Sequence, residues 1–498
     1  MKDLPGIPYL PNQIILFGHP HRLEMILGER PEPGEKQGPQ PQADMPRPLP
    51  LRLLARKQFR LKTSVDREQG ALPSLPQPDL RELRLYRFEE DDARWIDTLQ
   101  SRHQRFQDVI IERNYLTRAI PWTGAGSPWT GAGSPWTGAG SPWTGAGSPW
   151  PAGGSPWIVG GSPWLEMQDN GGDFIRERAE GIFTRQWAFG PNGVDVQDQL
   201  TRRDPTPQDG EGVVVGVFDT SPFPVTFTSV TVDMPPTPLT LTLKHPIPGS
   251  APGACSGFAA NHGFFVAGLI HALAPAADIQ LIRVLDDSAQ GTLFTLVAAI
   301  YDFIAQLNDK KAVINLSLGF IGSDVEGQED KDGPDLLRDA LDRAHKQNIV
   351  TVAAAGNEND TTQNDLPAEF PARWDFVLGV AASDSKKQRA CFSNQGDVMA
   401  PGGSGLKNCL PPAGRCHDED CPYTLISLNV ASYTGYGYGI GTSFAAPLAA
   451  GLAARLQASL DQIATGVDPN QPGAASQAVI SLIAKAAKDN DGVIKATV

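Results

Sequence analysis

Val213-Val-Val-Gly-Val-Phe-Asp219-Thr-Ser is the stretch whose reading decides the fold of this chain. Residues 213–218 form a near-continuous apolar run of strand length, as expected for a strand buried on both faces of a parallel sheet. Asp219 follows at its carboxyl end, where open α/β sheets place their functional groups. A carboxylate leaving a buried strand keeps its charge if a cationic or hydrogen-bonding partner meets it. Thr220, Ser221 and Pro222 suit an ordinary turn equally well. Two further segments fit the same kind of sheet: Ala312-Val-Ile-Asn-Leu-Ser-Leu-Gly319 and Ile349-Val-Thr-Val-Ala-Ala-Ala-Gly-Asn357.

The candidate partner of Asp219 is His262, in Asn261-His262-Gly-Phe-Phe-Val-Ala-Gly268. The run after it reads as a buried helix, and a helix amino terminus disfavours a charged imidazole. His271, nine residues on, reads as an ordinary helix histidine. Gly441-Thr-Ser443-Phe-Ala-Ala-Pro447 then opens a helix of small apolar residues that must be buried. A serine hydroxyl is a poor nucleophile until a base removes its proton. At a helix start it lies beside free backbone N–H groups that can hold an oxyanion; the plain alternative is an N-cap serine. Asp, His and Ser in that order form one of the recurring triad orders.

Taken together, these segments resemble the subtilisin-like serine peptidases (the subtilase family) over about residues 186–498. The resemblance implies an α/β fold: a three-layer domain with a mainly parallel sheet, preceded by a small α+β propeptide-like domain. It implies a serine endopeptidase with the triad Asp219, His262 and Ser443, and an oxyanion hole completed by Asn357. Ser317, Leu318 and Gly319 would pair with the substrate backbone. Ala354, Ala355 and Gly356 would line the pocket before the scissile bond. Glu369, helped by Asp365 or Glu358, would make that pocket acidic and favour Lys or Arg; the alternative is solvated loop carboxylates. Gly291, after Val284-Leu-Asp-Asp287, would border the outer pocket. No organic cofactor and no metal ligand follow, and the family's calcium sites cannot be carried over because the loop between Asp219 and His262 does not match. Two departures stand out. Ser221 occupies a customary glycine position, where any left-handed backbone would cost about 1 kcal/mol. Phe264 and Phe265 replace smaller or polar residues and are expected in the pocket wall.

Formal charge is −14, from 42 basic and 56 acidic residues, which argues against a nucleic-acid partner. Residues 1–118 carry 19 Lys and Arg against 17 Asp and Glu, so the remainder holds about −16. That asymmetry suits an intramolecular partnership. The expected organisation is a propeptide-like region at 1–118, a repeat linker at 119–165, a connecting segment at 166–185 and a peptidase domain at 186–498. In the first region Asn12-Gln-Ile-Ile-Leu-Phe17, Leu83-Arg-Leu-Tyr-Arg-Phe88 and Val109-Ile-Ile-Glu-Arg-Asn114 read as strands and 91–102 as a helix. Strand, helix and strand in that order resemble the family's inhibitory propeptide; an unrelated adaptor is the alternative. Residues 31–50 read as a Pro-rich loop. Arg118 and Arg185 are candidate maturation sites.

Pro-Trp-Thr-Gly-Ala-Gly-Ser repeats from Pro121, with tryptophans every seven residues up to Trp164. Each unit contains Pro and Gly, so this is no coiled-coil heptad. It is either a linker or a tryptophan ladder that docks on a partner. Of the five cysteines, Cys409, Cys416 and Cys421 lie in an insertion without a standard zinc spacing. A disulfide-stapled loop, a loose metal site and reduced thiols remain open. No run of 18 apolar residues suggests a membrane span. The absence of a basic-then-apolar start makes a cytoplasmic location the expectation. The partners expected are polypeptide substrates and the chain's own N-terminal region as inhibitor. A restricted processing protease and a catalytically silent peptidase-fold scaffold are the rival readings.

Overall fold

The computed structural model describes residues 9–27, 51–61, 79–88, 99, 103, 108–119, 176–201, 206–246, 258–320, 333–359, 366–404, 423–430, 435–463, 467–468 and 471–495. The tryptophan repeat, the Pro-rich stretch 31–50, the loop 408–421, Cys255 and Asp365 lie outside them. So does the helix expected over 91–102, apart from Leu99. The chain divides into two compact units. One is Met1–Leu116 with Thr292–Gln306 and Gln328–Ala340; the other is Thr117–Gly291, Leu307–Gly327 and Leu341–Val498.

The larger unit is built on an eight-stranded sheet. Its strand order is Val398–Pro401, Leu378–Ser383, Val350–Ala354, Lys311–Leu316, Val213–Asp219, Asp278–Arg283, Leu239–Lys244 and Ser229–Val232. All neighbours are parallel except the last pair. Val213–Asp219 is buried at every position, as its apolar run requires, and Asp219 is its final residue. The helices Phe258–Leu273 and Thr442–Ile463 pack together and against these strands. Their small residues permit close approach: a Cβ on Gly451 would lie 2.8 Å from Leu273 Cβ. Ile182, Phe183, Ala188 and Phe189 join the same core, so the segment before the sheet is integral to it.

In the smaller unit the sheet is antiparallel, ordered Ile110–Ala119, Tyr9–Gly18, Asp79–Phe88, Leu51–Leu61. The strands expected around 12–17, 83–88 and 109–114 are all present. The strand Leu51–Leu61 and the helix Pro20–Leu27 were not expected. One face of the sheet packs Ile14, Leu16, Tyr86, Phe88 and Ile111 against Leu23, Ile26 and Leu27 of that helix. On the other face Phe17 and Phe59 each place a ring 5.0 Å from Tyr301 of the helix Leu293–Gln306. Glu112 caps a helix start through Asp335 N and Leu336 N at 2.9 and 3.0 Å, and Asn114 accepts from Phe294 N at 3.1 Å. Helix amino termini leave such N–H groups without intrahelical partners, and a carboxylate there also suits the dipole.

Candidate active site

The carboxyl end of Val213–Asp219 delivers Asp219 into the interior, where its oxygens lie 2.8 and 2.9 Å from His262 Nδ1. Thr220 N donates to Asp219 Oδ1 at 2.6 Å. An ionised carboxylate accepts only, so Nδ1 must carry the proton, leaving Nε2 as the basic nitrogen. Thr220 also ties the strand to the helix: its hydroxyl donates to Ala260 O and accepts from Gly263 N, each at 3.1 Å. A Cβ on Gly263 would overlap the Thr220 carbonyl and come within 2.8 Å of Asp219 Cβ. The glycine after His262 is therefore a close-approach residue.

The helix begins at Phe258, so His262 is its fifth residue and not its first. Dipole effects fall off within the first turn. The helix-terminus setting expected for His262 is therefore not found, and its ring instead meets Asp219 directly. Phe264 and Phe265 are core residues rather than pocket wall: Phe264 packs edge-on to Phe223 at 5.1 Å and Phe265 lies 4.7 Å from Phe444. Ser221 does not take a positive φ, so the strain expected from replacing glycine does not arise. Its hydroxyl instead accepts from Phe223 N at 3.4 Å.

Ser443 is the second residue of Thr442–Ile463, after Gly441 with φ +141°. Its Oγ donates to Ser317 O at 3.2 Å, and Ser317 Oγ donates to Ser443 O at 2.8 Å. Phe444, the next residue, sets its ring 5.2 Å from the His262 imidazole. Asn357 Oδ1 accepts from both N and Oγ1 of Thr442, at 3.0 Å each. With Oδ1 committed in this way, the amide nitrogen is the donor end of the side chain. Thr442, beside the nucleophile, was not singled out in the sequence; its signal is simply its place in Gly-Thr-Ser.

Leu318 and Gly319 lie on the short strand Leu318–Phe320, which is paired antiparallel with residues 117–119. The edge expected to pair with substrate is thus paired with the chain itself. Gly291 stands on Gln290–Thr292, where a Cβ would lie 2.8 Å from Thr117 Oγ1. Ala354 ends Val350–Ala354, and Gly356 has φ +114°. A Cβ on Gly356 would lie 2.7 Å from Glu358 Oε2 and 3.0 Å from Glu369 Cγ. Both carboxylates are buried rather than solvated, with side chains 2% exposed. Glu358 Oε2 accepts from Asn357 N at 2.7 Å and Asn394 Nδ2 at 3.2 Å, and Glu358 Oε1 accepts from Arg118 at 2.9 Å. Glu369 Oε1 is 3.6 Å from the same guanidinium. Glu358, named only as a helper to Glu369, makes the closer contact. Arg185 ends the helix Arg176–Arg185, and the following Gln186 is buried and bonded to both N and O of Ile426. That geometry is unlike the extended backbone a protease cuts.

Among the described residues no group of three His, Cys, Asp or Glu could hold a metal ion. None of the described helices is long and apolar enough to cross a membrane. Cys391 is disulfide-bonded, its partner lying outside the described residues.

Comparison with known proteins matches residues 210–494 to the Subtilase family, more than half of the chain. Subtilisin DY of Bacillus licheniformis is 35% identical over 207 residues, covering 39% of this chain and 62% of that protein. Subtilisin E of Bacillus subtilis (strain 168) is 32% identical over 206 residues, 39% of this chain and 45% of its own length. The minor extracellular protease Epr of the same strain is 31% identical over 206 residues, 40% of this chain and 26% of its own. The matched stretch thus spans less than two thirds of each relative. With an aspartate, a histidine and a serine held at the end of a parallel sheet and a family match over most of that domain, this chain belongs to the subtilase family and shares its three-layer α/β fold.

Proposed function

We propose that the protein is a serine endopeptidase, made as a self-inhibited precursor and preferring Lys or Arg before the scissile bond. The observation that carries this reading is the coupling of Asp219 to His262 Nδ1 at 2.8 and 2.9 Å. It orients the imidazole so that Nε2 can take the Ser443 proton. Ser443 Oγ then attacks the substrate carbonyl, and the oxyanion is held by Asn357 Nδ2 and backbone N–H at the helix start. His262 returns the proton to the leaving amine, giving an acyl-enzyme. A water, deprotonated by His262, hydrolyses that ester and frees the serine. This chemistry calls for no organic cofactor.

Glu358 and Glu369 support the basic preference, because two buried carboxylates favour a cationic side chain between them. The same pair favours the restricted processing protease over broad digestion. The substrates would be polypeptides, bound as an added strand on Leu318–Phe320. Disulfides persist in oxidising compartments, so the bond at Cys391 weighs toward export and against the cytoplasmic expectation. Hydrolysis of matched peptides carrying Arg, Lys, Leu or Phe at the cleavage position tests the reading. Turnover that favours Arg and vanishes in Ser443→Ala is the expected result. Turnover that persists in Ser443→Ala would overturn it.

A further inference from the structure

His262, Phe265 and Phe444 are all fully buried. Asp219 holds the His262 imidazole through Nδ1. A second group is fixed against the same ring. Phe444, the residue after the candidate nucleophile, sets its ring centroid 5.2 Å from that of the imidazole, with the two planes 50° apart. Phe265, on the helix that carries His262, packs on Phe444 at 4.7 Å with planes 58° apart. Phe444 N donates to Gly441 O at 3.0 Å, which ties the backbone beneath the ring at the start of Thr442–Ile463. An aliphatic side chain would fill this space as well as a phenyl ring does. What the ring adds is its quadrupole, negative on the faces and positive at the edge. A ring face attracts a cation lying within about 6 Å of its centroid.

We infer that Phe444 is a positioning residue whose ring stabilises the positively charged form of His262, acting through the base and not on the substrate. The inference rests on the peptidase reading above and adds a group to it. As Ser443 Oγ bonds to the carbonyl carbon, its proton passes to His262 Nε2 and the carbonyl electron pair moves onto the oxygen. The imidazole then carries a positive charge until it returns the proton to the leaving amine. That charge is met by Asp219 and by the Phe444 ring. It exists only during the chemical step, so the ring contact lowers the barrier without tightening substrate binding. Burial keeps water from competing for the charge, which strengthens a cation–ring contact.

The test keeps the shape of the ring and changes its charge. Phenylalanine analogues carrying one, two and five ring fluorines, which progressively withdraw electron density from the face, replace Phe444 in the full chain; Phe444→Leu removes the ring. Hydrolysis of a peptide amide with Arg at the cleavage position gives kcat and KM. Labelling of Ser443 by a serine-directed phosphonate counts the intact sites, so that kcat is taken per labelled site. It is expected to fall stepwise with fluorine, to roughly 10-fold below wild type for five, while KM stays nearly unchanged. Phe444→Leu should lie between wild type and the five-fluorine ring. Equal kcat across the fluorinated set, with Ser443 labelled throughout, overturns the inference and leaves the peptidase standing. A kcat that rises with fluorine also overturns it, because the imidazole would then meet the ring edge. Folded wild type that neither hydrolyses nor labels overturns the peptidase reading, and this inference with it.

Discussion

Val213–Asp219 is buried at all seven positions and ends on a carboxylate held by a histidine. Asp79–Phe88, in the smaller unit, also carries a buried carboxylate, but in mid-strand. Glu82 meets Arg84 at 2.7 Å and is bonded as well to Arg56 and Gln58 of the neighbouring strand. The two acids share burial and differ in what surrounds them. Glu82 lies among cations and amide donors on its own strand pair, so its charge is spent on structure. Burial alone would raise its pKa, but the hydrogen bonds from Arg56, Gln58 and Arg84 outweigh it and hold the carboxyl below its ordinary range. Asp219 is instead matched to a histidine at the carboxyl end of a parallel strand, where open α/β sheets place their functional groups.

Replacing the acting groups of the larger unit should alter rate far more than stability. Ser443→Ala or His262→Ala is expected to lower kcat/KM by roughly 10⁴-fold or more, the established scale for losing a triad member, while thermal unfolding shifts little. Asn357→Leu comes next, with kcat down about 10²–10³-fold and KM nearly unchanged, the established scale for this oxyanion donor in related enzymes. Steady-state kinetics on a short peptide amide reads both. The opposite pattern is expected of Glu82→Leu. It leaves Arg84 buried without its carboxylate and should cost about 3 kcal/mol in urea unfolding of the full chain. A Glu82→Leu protein as stable as wild type would break the comparison. The sign with pH is fixed by the lowered pKa: this stabilisation is present above the ordinary glutamate pKa and is lost as pH falls through the folded-state value.

Smaller effects sharpen the picture. Glu358→Gln should reduce the preference for Arg over Leu at the cleavage position by roughly tenfold, the scale of one partly buried charge contact. Glu369→Gln, at the longer distance, should reduce it less. His271 supplies the least. Burial pushes its pKa down to about 4, although the bond to Thr237 O at 2.7 Å works the other way. The folded state therefore refuses a proton that the unfolded chain takes up below about pH 6.5. Stability is full above that pH and falls as pH drops toward 4, by about 1 kcal/mol at pH 5.5. His271→Gln should flatten that part of the stability–pH curve.

What could be read from the sequence follows the same division. Apolar runs ending in Asp219, Ser317 or Asn357 announce strands and place polar residues at their ends, because a strand buried on both faces tolerates a charge only where it stops. Leu51–Leu61 could not be read that way. It carries Arg52, Arg56, Lys57 and Arg60, buries Phe59 alone among its described side chains and follows a Pro-rich stretch, so neither alternation nor apolarity marks it. Phe264 and Phe265 were assigned to the pocket on motif position alone, whereas helix phase and the neighbouring Phe223 and Phe444 put them in the core. Ser221 looked strained because the family's glycine suggested a left-handed turn that this backbone does not make. The pairing of residues 117–119 with Leu318–Phe320 joins positions some 200 apart, which no local pattern encodes.

The central claim is that Ser443 is a nucleophile activated by His262. The most direct measurement is phosphonate labelling of the purified full chain and of Ser443→Ala, with the modified residue located by peptide mass mapping. The account predicts a single adduct on Ser443 in wild type and none in Ser443→Ala. Folded wild-type protein that forms no adduct on Ser443 would contradict it.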